Sequence, residues 1–152
     1  MYKTILVPLD GSKRAETILC HVKNLAQCYQ AEVIFLQVVK IHPSLVGHNG
    51  NYPMLKQQQL DQLTQEAETY LATRQEEFRE KGIKVRTART CVAYGSVVDA
   101  IINAAEDEGA DIIAMASHGR TGLPQVFYGS VAAGILHRVD RPLLLVRSLD
   151  SR

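Results

Sequence analysis

Between Met115 and Val131 the chain reads Met115-Ala116-Ser117-His118-Gly119-Arg120-Thr121-Gly122, then Leu123 to Tyr128, then Gly129-Ser130-Val131. Glycines let a backbone approach an anion with no Cβ in the way, and successive N–H groups can then point inward. A glycine and a hydroxyl opening a helix add unpaired donors with a partial positive charge, and Arg120 adds a fixed cation. These are the ingredients of a phosphate cradle. Nine residues separate Gly119 from Gly129. The stretch is therefore neither a Walker loop, which ends in Gly-Lys-Ser/Thr, nor the dinucleotide GxGxxG fingerprint.

The rest of the composition narrows the partner. The chain has 152 residues, 46% hydrophobic and 22% charged, which predicts one domain over 1–152 with a core of its own. A formal net charge of +1 points to neither nucleic acid nor a membrane surface, and favours a specific small ligand. Cys20, Cys28 and Cys91 are an odd set. The first two lie eight residues apart on one expected helix, roughly 12 Å at 1.5 Å per residue, beyond disulfide reach. The expectation is reduced thiols serving core packing in a cytoplasmic protein. The opening Tyr2 to Asp10 is too briefly apolar for a signal peptide, and no run approaches the roughly 20 apolar residues of a membrane span.

The elements that position the glycine stretch follow from apolar periodicity. Ile5 to Leu9 predicts a buried strand, ended by Asp10-Gly11-Ser12 as a turn and helix cap. Ile18, Val22, Leu25 and Tyr29 give the next helix one buried stripe, and Val33 to Val39 reads as a strand covered on both faces. From Lys40 to Gln59 the turn formers Pro43, Gly47, Asn49, Gly50, Asn51 and Pro53 predict a long loop, either a lid over the first strand's end or a solvated insertion. Leu60, Leu63, Ala67, Tyr70, Leu71 and Phe78 mark a long amphipathic helix stopping at Lys81-Gly82, its glutamates a solvated face. Lys84 to Thr90 is a wetter strand, expected at a sheet edge. Ser96 caps a helix carrying Val98, Ile101, Ile102 and Ala105 inward. Asp111 to Ala116 is a buried strand delivering the glycine stretch, Gly129 to about Arg138 a short helix, and Leu143 to Val146 a fifth strand.

Five strands alternating with four helices predict an α/β fold, an open five-stranded parallel sheet with helices on both faces. Right-handed crossovers with one reversal of winding give the order 3-2-1-4-5. Asp10 and the stretch from Met115 to Ser130 then face each other at the switch point, where open α/β sheets bind ligands. Strand 5 becomes an apolar edge, so a homodimer through Leu143 to Val146 is expected.

Over the whole chain these residues resemble the universal stress proteins. The resemblance is carried by Lys3 to Ser12, by Ser117-His118-Gly119-Arg120-Thr121-Gly122, by Gly129-Ser130-Val131 nine residues beyond Gly119, and by Arg141-Pro142-Leu143-Leu144-Leu145-Val146. It implies the adenine nucleotide alpha-hydrolase-like fold, dimerisation through the last strand, and either an ATP-binding or a non-binding branch. The binding branch carries Gly-x-x-Gly, nine residues, then Gly-Ser/Thr. Here Ala116 stands where that motif's first glycine belongs. Residue by residue, the resemblance implies that Asp10, after Pro8 and Leu9, contacts the nucleoside and that Val38 offers backbone groups to adenine. Gly119, Gly129, Ser130 and the Val131 N–H would hold the phosphates, Arg120 would meet their charge, and Met115, Ala116 and His118 would also line the nucleotide site, with Mg²⁺ accompanying ATP. The expected function is an ATP-binding regulatory module in a stress response. No carboxylate lies between Met115 and Val131, so any hydrolysis would be slow. The alternative within the family is a dimeric interaction or scaffold protein that binds no nucleotide.

Overall fold

The computed structural model describes residues 1–40, 52–93, 95–119 and 129–149. Five strands run β1 (Thr4–Leu9), β2 (Glu32–Lys40), β3 (Val85–Ala93), β4 (Ile112–Gly119) and β5 (Leu143–Leu149). The helices are α1 (Leu19–Tyr29), entered through a 3₁₀ turn at Ala15–Ile18, then α2 (Tyr52–Glu80), α3 (Val97–Asp107) and α4 (Ser130–Arg138). All strand pairs are parallel, in the order β3-β2-β1-β4-β5. The predicted order therefore holds.

The side-chain alternation of the central strands divides the core in two. Ile5, Val7, Val33 and Phe35 face α1 and α2, where they meet Val22, Leu71 and Phe78, and the Phe35 and Phe78 rings pack edge to face at 5.0 Å. Leu6, Ile34, Leu36, Ile113 and Met115 face the other way, onto Ile101 and Ala105 of α3 and Ile135 of α4. Burial on both faces is why these strands read as continuous apolar runs rather than alternating ones.

Polar contacts tie the amino-terminal edge of the sheet. Asp111 accepts from the Lys3 and Thr4 backbone N–H groups at 2.8 and 2.9 Å. Those two hydrogen bonds hold its carboxyl below the ordinary value of 3.8. On the edge strand β3, Arg86 reaches Glu32, the Thr4 hydroxyl and the Glu108 carbonyl, while Lys84 also pairs with Glu32. The charges that marked this strand as wet thus also bind it to its neighbours.

Four expectations need correction. The predicted loop 40–59 is helical from Tyr52 onward, because Pro53 falls in the first turn of α2, where its missing N–H costs nothing; residues 41–51 of that loop lie outside the described residues. Strand β4 extends through Ser117, His118 and Gly119, which pair with Arg147, Ser148 and Leu149 of β5. Cys20 and Cys28 are exposed rather than packed, since the buried stripe of α1 runs through Leu19, Val22 and Ala26. Tyr29 lies at that stripe's exposed end, edge-on to the Tyr2 ring. Among the described residues no helix is long and apolar enough to cross a membrane.

Candidate functional site

The two central ladders have different lengths. β1 pairs with β2 from Thr4 to Leu9, yet its recorded partners on β4 are only Ile112 for Ile5 and Ile113 for Leu6. Pro8 contributes to this, since a proline has no N–H to give a neighbouring strand. Beyond that point no backbone pairing among the described residues joins Val7 to Leu9 with β4, and the β1–β4 ladder ends short of the carboxyl-terminal side of the sheet. This is the switch point at which parallel sheets of this winding bind ligands.

Asp10 stands on one bank. Its Oδ1 accepts from the Ser12 backbone N–H at 2.9 Å and from the Ser12 hydroxyl at 2.6 Å, while Ser12 Oγ accepts from the Ala15 N–H at 3.1 Å. Gly11, at φ +82°, makes this turn in a backbone region that favours glycine. One carboxylate oxygen therefore builds the turn. The other has no protein partner among the described residues, and Asp10 is exposed.

A cleft of about 430 Å³ opens beside Asp10 and Gly11, within the range of small-molecule sites. Its floor is the end of β2, Gln37 to Lys40, and its wall is α2, through Leu63, Glu66, Ala67 and Tyr70. That wall is anchored. The Tyr70 hydroxyl donates to Glu16 Oε1 at 3.1 Å and Arg74 reaches the same oxygen at 3.3 Å, linking α2 to the 3₁₀ turn just beyond Asp10. Burial first, then the Glu16 charge, raises the Tyr70 phenol above its ordinary value of 10.0.

The other bank is β4 and α4. Met115 is buried and Ala116 packs against the α1-side core. Ala116 pairs with Val146 inside a regular ladder, and Gln30 is the sole non-glycine residue with positive φ among those described. An alanine at this place is thus free of backbone strain. Gly129, at φ +79° and ψ +153°, is the N-cap of α4, a conformation essentially confined to glycine. Ser130 is exposed as the first helical residue, and Val131 packs on the α3-side core.

The structure brings Asp10 and Val38 to one cleft, with Pro8 and Leu9 leading into it. Met115, Ala116, Gly129, Ser130 and Val131 lie across the opening and do not line that cleft. His118 and Gly119 end β4; the His118 side chain and Arg120 lie outside the described residues. Sequence reasoning missed Gln37, Lys40 and the α2 wall. Gln37 left a trace as the polar interruption of an apolar strand, whereas Leu63, Ala67 and Tyr70 look in sequence like any core stripe. Among the described residues no cluster of His, Cys, Asp or Glu could hold a metal ion.

A five-stranded parallel sheet in the order β3-β2-β1-β4-β5, with a glycine-capped helix following β4, defines a doubly wound α/β protein. Comparison with known proteins makes the class specific. The family model described as "Universal stress protein family" matches residues 1–147, and the chain belongs to that family. It is 32% identical to universal stress protein MJ0577 of Methanocaldococcus jannaschii, over 99% of this chain and 98% of that one. The solved structure of MJ0577 superposes with a TM-score of 0.82, covering 99% of each chain at 34% identity. A universal stress protein from Archaeoglobus fulgidus, solved in complex with dAMP, shares the fold with a TM-score of 0.63 at 18% identity, over 95% of this chain and 98% of that one. Another, solved in complex with cAMP, does so with a TM-score of 0.63 at 20% identity, over 97% and 98%.

Proposed function

We propose that this chain is an adenine-nucleotide-binding regulatory module of its family, taking ATP with Mg²⁺. The observation that carries the reading is the end of β1–β4 pairing at Leu6 and Ile113, with the Asp10 carboxylate following β1 and the Gly129-capped α4 following β4. The free oxygen of Asp10 would accept from the nucleoside, and Val38 would offer backbone groups to the base. Gly119, Gly129, Ser130 and the Val131 N–H would face the phosphates, where helix-terminal donors favour negative charge. With no carboxylate between Met115 and Val131, Mg²⁺ would be carried by phosphate oxygens and water. The dAMP and cAMP complexes of relatives sharing the fold support an adenine nucleotide as the ligand class.

The deciding experiment is mass spectrometry of the small molecules released when freshly purified, never-supplemented protein is denatured, followed by calorimetry with ATP and Mg²⁺. Stoichiometric ATP or ADP, or a calorimetric isotherm that Asp10→Ala weakens for ATP and AMP alike, is the expected result. No released nucleotide and no heat would overturn it in favour of a dimeric interaction protein. The half-buried apolar edge of β5, Leu143 to Val146, supports the further proposal that two copies pair along that strand; sedimentation equilibrium giving a monomer at micromolar concentration would refute it.

A further inference from the structure

We infer that Leu63 of α2 is the residue that covers the base of the bound nucleotide, so that α2 is a third wall of the site. The inference rests on the nucleotide reading above, which puts the base beside Val38, and adds to it the side chain that covers the base.

The buried stripe of α2 runs from Phe78 through Leu71 to Ala67, all at most 2% exposed, and its next member is Leu63, at 37%. The stripe continues, but the sheet beneath it stops at Lys40. Leu63 therefore emerges from the core into the cleft beside Asp10 and Val38. Of the other exposed large apolar residues among those described, Met1 is the chain start, Tyr29 meets the Tyr2 ring, and Leu136 lies on α4. Leu63 alone of these lines the cleft.

The charge of the cleft says which part of a nucleotide suits it. Asp10 and Glu66 are two acids against one cation, Lys40, so a phosphate is disfavoured here and is better placed at α4. A purine base offers an apolar face for Leu63 and a polar edge for the floor. In that floor, Gln37 Oε1 is buried with no hydrogen-bond partner, and a buried orphan acceptor is costly unless a donor reaches it.

The test is calorimetry on the full chain with adenosine, AMP and ATP, comparing wild type with Leu63→Ser and Leu63→Met. Removing the apolar cover should weaken adenosine, AMP and ATP by one common factor of about five, whereas the conservative methionine should stay within twofold of wild type. The exposed position keeps the fold intact, which matched thermal melts will verify. Wild-type binding with Leu63→Ser equal to it would overturn the α2 wall while leaving the nucleotide reading standing. A loss for ATP but not for adenosine would overturn the placement of the base. No binding of any of the three to wild type would overturn the nucleotide reading and this inference with it. The chain contains no tryptophan, so Leu63→Trp supplies an independent contact reporter. Adenosine should quench its emission and leave that of a Tyr29→Trp control unchanged; equal responses would count against direct contact.

Discussion

Gly134 sets how closely α4 lies against α3, and Gly134→Ala tests that packing directly. A Cβ built at this position falls 2.6 Å from Val98 Cγ2 and 3.4 Å from Cγ1, about 1 Å inside the optimal carbon separation of roughly 3.5 Å or more. Valine in a helix has one strongly preferred rotamer, so Val98 cannot swing its methyls aside. Two terms compete. Replacing a helical glycine by alanine gains about 1 kcal/mol of helix propensity. Overpacking a close contact costs about 1 to 3 kcal/mol. With two Val98 methyls in the way the second term should win, leaving Gly134→Ala less stable by about 1 kcal/mol, a fall of about 3 °C in Tm at this chain length. In a Val98→Ala background the obstacle is gone and the same change should stabilise by about 1 kcal/mol. The cycle then gives a coupling near 2 kcal/mol, within the range for touching residues. Urea denaturation of the four proteins measures it. Stabilisation by Gly134→Ala in the otherwise wild-type chain would refute the reasoning. Because α4 carries Ser130 and Val131 at its start, affinity for ATP should fall in the single variant and recover in the double one.

Tyr70 predicts an alkaline instability. Its phenol titrates higher in the folded chain than its ordinary value of 10.0, burial being the first cause. A raised value means that the stabilisation is complete below pH 10 and is lost as pH climbs above it. Tyr70→Phe should therefore narrow its stability deficit as pH rises above 10, read from Tm at pH 8 to 11; a constant difference would contradict the half-buried Tyr70 to Glu16 hydrogen bond. Asp111 behaves in the opposite sense. Its carboxyl is held below 3.8 by the Lys3 and Thr4 N–H groups, so its contribution is present above that value and is lost as pH falls below it. Asp111→Asn should cost about 1 kcal/mol at pH 7, a gap that closes towards pH 2 in urea titrations and that should not close if the carboxylate is idle. Arg120→Ala should weaken ATP more than AMP, and equal losses in calorimetry would contradict a phosphate role for that arginine.

The order of the sheet was legible because burial on both faces writes itself as apolar runs, and because winding rules leave few arrangements of five parallel strands. Element ends were less legible, for a physical reason. Ser117 and His118 carry no hydrophobic signal, yet they belong to β4 because backbone hydrogen bonding to Arg147 and Ser148 ignores side-chain polarity. Tyr52 to Gln59 looked like loop because turn formers precede it and Pro53 falls within it, and only the position of that proline in the first turn separates the two outcomes. Of the site, Asp10 could be read from its place at the end of the first apolar run. The α2 wall could not. Whether Leu63 is core or cleft depends on where the sheet beneath it ends, and an amphipathic stripe has the same spacing in either case.

The unequal ladders give these pieces a common sense. β1, β2 and α2 form one bank, bound together from Thr4 to Leu9 and by the contacts of Tyr70 and Arg74 to Glu16. β4 and β5 form the other bank, paired from Ile113 to Gly119, with α4 beginning across the opening. The recorded pairing of β1 with β4 ends at Leu6 and Ile113, so at the carboxyl-terminal side the two banks meet without a ladder. A nucleotide with its base on the first bank and its phosphates on the second would therefore span the one interval of the sheet that backbone pairing leaves open.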